Sequence, residues 1–241
     1  MRADQNQPVT MRQRPAVIVM IKAPRAREAK TRLTPILSAA EAASLAACFA
    51  LDAVACAKRA ARDVIAAYTP ADARQALESL LPHDLLWMEQ RGDHLGVRLE
   101  GALAQAAALG FSPLIVTGTD SPTLPHALIE TALDALSTDA ADLVLGPTED
   151  GGYYLLGLRQ PARNIFQNVA WSTSLVYRQT AANALRLGLR LCELLPWYDV
   201  DTPTDLSRLR DELHADQGAR ERAAATYRWL LAHEQATAPP L

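Results

Sequence analysis

Two short apolar runs in the middle of the sequence are each followed by acidic residues. Residues 113–116 (Pro-Leu-Ile-Val) lead into Thr-Gly-Thr-Asp-Ser-Pro, which contains Asp120. Residues 142–147 (Asp-Leu-Val-Leu-Gly-Pro) lead into Thr-Glu-Asp-Gly-Gly-Tyr-Tyr, which contains Glu149 and Asp150. Such runs predict buried strands, and open α/β sheets bind ligands beyond the carboxyl ends of their strands. Carboxylates at those ends suit a divalent cation shared with substrate phosphates, so we expect an enzyme that acts on a small phosphorylated molecule.

A basic segment follows the first apolar run, residues 17–21. Between residues 22 and 34 there is one acidic side chain, Glu28, and there are five cationic ones: Lys22, Arg25, Arg27, Lys30 and Arg32. A loop after the first strand of a βαβ unit presents backbone N–H groups to an anion, and lysine and arginine bind a diphosphate well. We expect phosphate binding here; the alternative is a solvated basic loop.

Two further aspartates lie in the motif Trp-Tyr-Asp-Val-Asp-Thr-Pro near the C-terminus. Asp199 and Asp201 alternate along an extended segment, so their side chains point to opposite faces and only one can face the cleft. We assign Asp201 to a metal together with Asp120, and Asp199 to a supporting role. Either the other aspartate or Thr202 would cap the helix that Pro203 begins.

The second acidic segment adds candidate substrate contacts. Crowded carboxylates raise one another's pKa unless a cation neutralises them, so Glu149 and Asp150 suit a metal site or a general base. Gly151 and Gly152 would let a ligand approach the backbone closely, and Tyr153 offers an aromatic surface. The alternative for Asp120, which precedes Ser-Pro, is an ordinary turn, whereas a plain turn at residues 149–152 would need one glycine and no aromatic residues.

Composition argues against several classes of function. The formal net charge of −3 provides no basic surface for nucleic acid. Cys48, Cys56 and Cys192 lack Cys-x-x-Cys spacing, and the five histidines are scattered, so a zinc site is not expected. The apolar run at residues 17–21 is too short for a signal peptide or a membrane span. We expect a cytoplasmic protein with neither a membrane nor a nucleic-acid partner.

Alternating patterns predict the elements that position these residues. Strands are expected at residues 17–21, 64–69, 85–89, 114–117, 142–145, 153–158 and 189–195. Helices are expected at residues 38–61, 72–81, 94–110, 125–137, 173–187, 203–213 and 219–233. Ser38 and Glu41 have the spacing of a capping box. Because strands alternate with helices, we expect one α/β domain over residues 17–234, with a mostly parallel central sheet and helices on both faces. Residues 1–16 are expected to be a disordered tail and residues 235–241 a frayed one.

The sequence resembles a family of small bacterial glycosyltransferase-like proteins with the GT-A fold, often associated with arsenosugar or radical-SAM gene neighbourhoods. The resemblance spans about residues 17–209 and rests on seven blocks in the family's order: Lys22-Ala23-Pro24-Arg25, Lys30-Thr31-Arg32-Leu33, Gly118-Thr119-Asp120-Ser121-Pro122, Leu145-Gly146-Pro147, Glu149-Asp150-Gly151-Gly152-Tyr153-Tyr154, Trp171-Ser172 and Asp199-Val200-Asp201-Thr202-Pro203. It implies a nucleotide-diphospho-sugar transferase fold whose phosphate-binding residues are Lys22, Pro24, Arg25, Lys30, Arg32, Gly118 and Thr119. Trp171 is interpreted first as a packed residue before a helix and second as part of an acceptor pocket.

The resemblance implies a metal-dependent glycosyltransferase. Asp120 and Asp201 would hold Mg²⁺ or Mn²⁺ on the diphosphate of a nucleotide-sugar donor, and Asp150 or Glu149 would orient or deprotonate the hydroxyl of a small-molecule acceptor. One alternative is a nucleotidyltransferase, similar to the guanylyltransferases that activate a phosphorylated small acid. Another is a catalytically silent nucleotide-binding protein.

Two positions depart from the family pattern. Arg27 stands where the family usually carries glycine, and we expect its side chain to narrow the phosphate loop or to add a phosphate contact. The acidic motif is Thr-Asp-Ser rather than a full Asp-x-Asp, so a cation would depend on Asp120 and a distant partner.

Overall fold

A seven-stranded sheet forms the centre of the structure, a computed structural model that describes residues 14–237. Its strands are β1 (Ala16–Lys22), β2 (Asp63–Thr69), β3 (Leu86–Glu89), β4 (Leu114–Thr117), β5 (Leu143–Pro147), β6 (Tyr153–Leu158) and β7 (Leu191–Glu193). The spatial order is β3-β2-β1-β4-β6-β5-β7. Every neighbouring pair is parallel except those of β6, which runs antiparallel to both β4 and β5. The expectation of a mostly parallel sheet is confirmed.

Eight α-helices surround the sheet within residues 14–237. They are α1 (Ala39–Ala60), α2 (Arg74–Leu80), α3 (Leu95–Ala108), α4 (His126–Ser137), α5 (Val176–Arg186), α6 (Pro203–Ala215), α7 (Gln217–Arg222) and α8 (Ala224–Thr237). Alternate residues of β1 enter opposite cores, because successive side chains of a strand point to opposite faces. Val17, Val19 and Ile21 pack with α1, α2 and α4, whereas Ala16 and Ile18 pack with α3 and α5. The single α/β domain with helices on both faces is confirmed.

A third apolar cluster joins the first loop to the C-terminal helices. Leu33 and Phe49 are completely buried, and they belong to the same cluster as Tyr198, Val200 and residues of α6. The cluster holds the segment before α6 against the loop after β1. Two segments that are about 170 residues apart in sequence are thereby fixed to one another.

Helix caps follow local sequence closely. Ser38 and Glu41 form the expected capping box at α1. Thr202, one of the two expected alternatives, caps α6 with Asp205 as its partner. Neither Asp199 nor Asp201 is therefore the capping residue of α6. By length and apolar composition, α1 is the single helix within residues 14–237 that could cross a membrane, although half of that stretch is buried inside the domain.

The chain ends differ from the predicted boundaries. The helix expected at residues 219–233 is divided into α7 and α8 around Ala223. Residues 1–13 of the predicted N-terminal tail and 238–241 of the C-terminal tail lie outside the described residues. Within the described residues, Arg14 forms a β-bridge with Ser112, and α8 extends to Thr237.

The start of α8 depends on a buried carboxylate of α1. Asp52 accepts hydrogen bonds from the backbone N–H groups of Ala225 and Thr226, both at 2.9 Å. Asp52 is 3% exposed, so these contacts are shielded from water. The side chain satisfies two of the N–H groups that a helix N-terminus leaves without a partner.

We predict that Asp52→Ala lowers the free energy of unfolding by about 2 kcal/mol, because two buried donors lose their acceptor. Urea denaturation measures the change. Asp134→Ala, the same substitution at an exposed position of α4, is the control and should stay within about 0.5 kcal/mol of the original protein. Equal effects of the two substitutions would contradict the capping role.

Candidate active site

A cleft of about 560 Å³ opens at the carboxyl ends of β1, β2 and β4. β1 lies between β2 and β4, where the chain connections leave in opposite directions. Open α/β sheets bind ligands at such a switch point. Lys22, Thr69 and the residues from Thr117 to Ser121 line the cleft from the strand ends. The cleft is therefore in the place that the sequence analysis expects for a ligand site.

The ammonium group of Lys30 joins two carboxylates at the edge of this cleft. Its Nζ lies 2.5 Å from Asp120 Oδ1 and 2.9 Å from Asp201 Oδ1. It also donates to the Val200 carbonyl oxygen at 2.8 Å. The Lys30 side chain is 8% exposed, whereas Asp120 and Asp201 are 47% and 40% exposed. The structure thus brings Asp120 and Asp201 together, with one face of each carboxylate open to the cleft.

Electrostatics keep Lys30 charged despite its burial. Burial alone would lower the pKa of its ammonium group, but the charges of Asp120 and Asp201 outweigh that effect and hold the pKa above its usual range. The ring of Phe49 lies beneath the ammonium, with its centroid 5.3 Å from Nζ.

One backbone and one side-chain hydrogen bond hold the two acidic segments side by side. The Val200 N–H donates to the Asp120 carbonyl oxygen at 2.8 Å, and the Ser121 hydroxyl donates to Asp199 Oδ1 at 2.5 Å. Asp199 lines the cleft from a more buried position. Burial, and then the like charges of Asp120 and Asp201, raise the pKa of the Asp199 carboxyl to about 7. Asp199 thus ties the two segments together.

The basic residues of the first loop divide into two groups. Lys22 and Arg32 line the cleft, where Lys22 Nζ donates to the Glu28 carbonyl oxygen at 2.7 Å and Arg32 Nη1 lies 3.7 Å from Asp201 Oδ2. Pro24 and Arg25 are not among the residues that line it, and Arg25 pairs instead with Asp72 at 2.8 Å.

Gly118 and Thr119 line the cleft directly after β4, as expected for a phosphate-binding segment. Tyr153 lines it from β6, where it also packs against the second core. Trp171 is not among the lining residues. Its ring packs against Phe166, with centroids 5.7 Å apart, and lies where a Cβ on Gly96 would come within 2.6 Å. This favours the first interpretation of Trp171, a packed residue.

The Glu149–Gly152 turn does not reach the cleft. Glu149 forms a two-pronged ion pair with Arg208 of α6, at 2.7 and 3.0 Å, and this contact lowers the pKa of Glu149. Asp150 Oδ1 accepts from the Thr148 hydroxyl at 2.5 Å and from the Gly152 N–H at 3.1 Å, which closes the turn. None of these residues lines the cleft. The geometry therefore does not place the two predicted catalytic carboxylates at the ligand site.

The glycines of this turn serve packing rather than ligand approach. Gly151 has φ +92°, and a Cβ there would lie 2.2 Å from the Ser174 carbonyl oxygen. A Cβ on Gly152 would lie 2.9 Å from the Thr148 hydroxyl oxygen. Both positions need glycine because neighbouring parts of the chain pass close to them. Neither glycine lines the cleft, so the structure does not place them where they were predicted to contact a substrate.

Two polar residues of the cleft were missed by the sequence analysis. Gln90, just after β3, donates its amide to the carbonyl oxygens of Ala67 and Ile21, at 2.6 and 3.4 Å. Arg98 of α3 donates its Nε to the Gly92 carbonyl oxygen at 2.9 Å. Both line the cleft. The position of Gln90 at the end of a predicted strand was a usable signal, whereas nothing in the local pattern marks Arg98.

Arg27 has the backbone conformation that explains the glycine of the family pattern. Its φ is +68°, in the left-handed region that glycine adopts without steric cost. Its side chain is exposed and does not line the cleft. The expectation that Arg27 narrows the phosphate loop or contacts the ligand is therefore not supported by its position.

The carboxylate oxygens of Asp120 and Asp201 suit a metal ion that also binds substrate phosphates, rather than one held by protein side chains alone. Within residues 14–237, no group of three or more His, Cys, Asp or Glu side chains is arranged to hold a metal ion. Asp120 and Asp201 already share one cation, the ammonium of Lys30, and each carboxylate remains partly exposed. Mg²⁺ typically binds one or two carboxylates and completes its shell with water and substrate phosphates. The residues present fit that arrangement.

Comparison with known proteins agrees with the fold. A family profile described as "Uncharacterized protein conserved in bacteria (DUF2064)" matches residues 50–173, slightly more than half of the chain. A crystal structure from Desulfovibrio desulfuricans G20, provisionally described as a nucleotide-diphospho-sugar transferase, aligns with a TM-score of 0.84 and 29% identity over 93% of this chain and 96% of that chain. No curated protein sequence matches the chain.

More distant structures share the fold alone. CMP:2-keto-3-deoxy-manno-octonic acid synthetase in complex with CTP has a TM-score of 0.54 and 14% identity over 84% of this chain and 99% of that chain. Rv0371c from Mycobacterium tuberculosis H37Rv has a TM-score of 0.51 and 18% identity over 83% and 99%. The fold is thus of the nucleotide-diphospho-sugar transferase type, and it is compatible with both sugar transfer and nucleotidyl transfer.

We predict that Arg27→Gly does not destabilise the protein and raises the free energy of unfolding by up to about 1 kcal/mol, because the left-handed strain disappears. Ala26→Gly in the same loop is the control; the φ of Ala26 is not positive, so it should lose roughly 0.5–1 kcal/mol. Urea denaturation of both variants tests the difference in sign. A loss of stability for Arg27→Gly as large as the control's would refute it.

Proposed function

The chain belongs to the DUF2064 family, and we propose that it is a metal-dependent transferase of nucleotide-diphosphate sugars that passes a sugar to a small-molecule acceptor. The observation that carries the proposal is the pair Asp120 and Asp201, joined through Lys30 at the cleft of the switch point. Two carboxylates of one cleft, faced by Lys22 and Arg32, are a suitable arrangement for a metal and a diphosphate. The similarity to the Desulfovibrio protein supports the sugar-transferase interpretation.

Asp120 and Asp201 would hold Mg²⁺ or Mn²⁺, which when bound supplies Lewis-acid stabilisation of the leaving phosphate and a template for the donor. Gly118 and Thr119 line the same cleft directly before Asp120. Lys22 and Arg32 offer positive charge to the diphosphate, whose negative charge grows as the sugar leaves.

In the proposed transfer, the acceptor hydroxyl oxygen forms a bond to the anomeric carbon of the sugar. The bond between that carbon and the phosphate oxygen breaks, and the nucleoside diphosphate leaves with the electron pair. The hydroxyl proton passes to solvent water. Gln90 and Arg98 lie on the same cleft, on the side of β3 and α3, and give it polar contacts beyond the carboxylates.

Nucleotidyl transfer is the second candidate, and the position of the Glu149–Gly152 turn favours it. Sugar transfer draws on an acceptor base, for which Glu149 and Asp150 were the candidates, and neither lines the cleft. Nucleotidyl transfer to a phosphorylated acid uses an acceptor that is already ionised, so it needs no such base. In that reaction the acceptor oxygen attacks the α-phosphorus of a nucleoside triphosphate, and pyrophosphate leaves.

The product that is released separates the two candidates. A thermal-shift screen of nucleotide sugars and nucleoside triphosphates, each with and without Mn²⁺, first identifies the donor, because a ligand that binds the folded state raises its melting temperature. Turnover of that donor then shows which group moves. A nucleoside diphosphate as product supports sugar transfer, and pyrophosphate from a triphosphate refutes it in favour of nucleotidyl transfer.

We predict that Asp120→Asn weakens Mn²⁺-dependent binding of a nucleoside diphosphate by more than about tenfold, since even partners of metal ligands contribute 10–100-fold to affinity. Isothermal titration calorimetry with and without Mn²⁺ measures the effect. Asp84→Asn, which removes the charge of a surface aspartate paired with Lys58, is the control and should not change binding. Unchanged affinity of Asp120→Asn would remove Asp120 from the metal site.

A further inference from the structure

The ammonium group of Lys30 lies at the centre of an oxygen site. Its Nζ is surrounded by Asp120 Oδ1 at 2.5 Å, Asp201 Oδ1 at 2.9 Å and the carbonyl oxygen of Val200 at 2.8 Å. Two carboxylates and a carbonyl oxygen are the donors that Mg²⁺ and Mn²⁺ prefer. A single positive charge thus occupies a set of ligands that suits a doubly charged ion.

These contacts leave Lys30 no donor for a phosphate. An ammonium group has three N–H donors, and Lys30 has three oxygen partners within hydrogen-bonding distance. The other first-loop cations of the cleft are not bound in this way. Lys22 is exposed and contacts the Glu28 carbonyl oxygen, and Arg32 is 75% exposed and 3.7 Å from the nearest oxygen of Asp201. Phosphate binding by Lys30, as the sequence analysis expects, therefore requires it to give up partners.

We propose that Lys30 is the internal counterion of the Asp120–Asp201 pair in the metal-free protein, and that a divalent cation displaces its ammonium group into the cleft, where it binds a phosphate of the donor. The inference rests on the proposed function, because it needs a metal ion and a phosphate at this site.

The burial of Lys30 determines when the exchange occurs. An ammonium group that leaves three oxygens must find new acceptors, since a charge that stays desolvated without partners is strongly unfavourable. Donor phosphate oxygens provide charge-assisted acceptors of that kind. A metal ion that binds alone must therefore compete with the Lys30 ammonium group for the two carboxylates. When the donor binds as well, its phosphate accepts the displaced ammonium group and this competition is removed. Metal binding and donor binding favour each other, with Lys30 as the connecting group.

Removing the internal competitor should tighten metal binding. Mn²⁺ is titrated into the full chain without any nucleotide, and the free ion is followed by electron paramagnetic resonance. We expect Lys30→Met to bind Mn²⁺ at least about tenfold more tightly than the original protein, because two partly exposed carboxylates lose their positive partner. Lys58→Met removes a lysine that pairs with Asp84 and does not line the cleft, and its Mn²⁺ affinity should stay within about twofold of the original.

Two further measurements locate the effect. The double variant Lys30→Met/Asp120→Asn should lose the tightened binding, which assigns the ion to this carboxylate pair. Mn²⁺ should also raise the melting temperature of Lys30→Met more than that of the original protein. If the methionine variant does not fold, Lys30→Gln permits the same comparison, since glutamine also removes the charge.

An affinity of the Lys30 variant equal to or weaker than that of the original protein would overturn the inference. If in that case the original protein still binds a nucleoside diphosphate in an Mn²⁺-dependent way, the proposed function stands and Lys30 is a fixed structural residue. If neither the original protein nor any variant binds Mn²⁺, with or without the nucleotide, the metal-dependent function fails as well.

Discussion

One buried ammonium group connects the three segments that form the site. Lys30 belongs to the loop after β1, Asp120 to the loop after β4, and Val200 and Asp201 to the segment before α6. Asp120 and Asp201 both contact this ammonium group, and its positive charge offsets the repulsion between the two carboxylates. The contact joins these three segments at the edge of the cleft, beside the hydrogen bonds that also hold them together.

The apolar surroundings make the contact possible. Leu33, Phe49 and Val200 are completely buried in one cluster, which fixes the first loop against the C-terminal helices. Direct hydrogen bonds between Ser121 and Asp199, and between the backbones of Val200 and Asp120, align the two acidic segments. These packed side chains and hydrogen bonds fix the backbone of the two acidic segments, so the carboxylates keep their positions whichever cation they contact.

The block from Glu149 to Tyr154 contains the predicted catalytic carboxylates, but its contacts mainly stabilise the fold. Glu149 pairs with Arg208, whose guanidinium also stacks 3.9 Å above the centroid of the Tyr198 ring. Tyr154 packs so closely over Gly146 that a Cβ there would come within 2.3 Å of its ring. These contacts join β5 and β6 to α6 and help to form the wall of the cleft. The block matters for the site because it positions neighbouring elements.

Local sequence by itself determined the strands, most helices, the capping box at Ser38 and the carboxylates at the strand ends, since periodicity and capping depend on neighbours a few residues apart. It also assigned Asp120 and Asp201 to one site, and the structure brings both carboxylates to the same ammonium group. Tertiary structure alone decided that Lys30 binds both of them, that Arg208 claims Glu149 and that Arg98 reaches the cleft. Those contacts join residues far apart in the chain, and which polar groups meet there depends on how the helices pack, which no local pattern encodes.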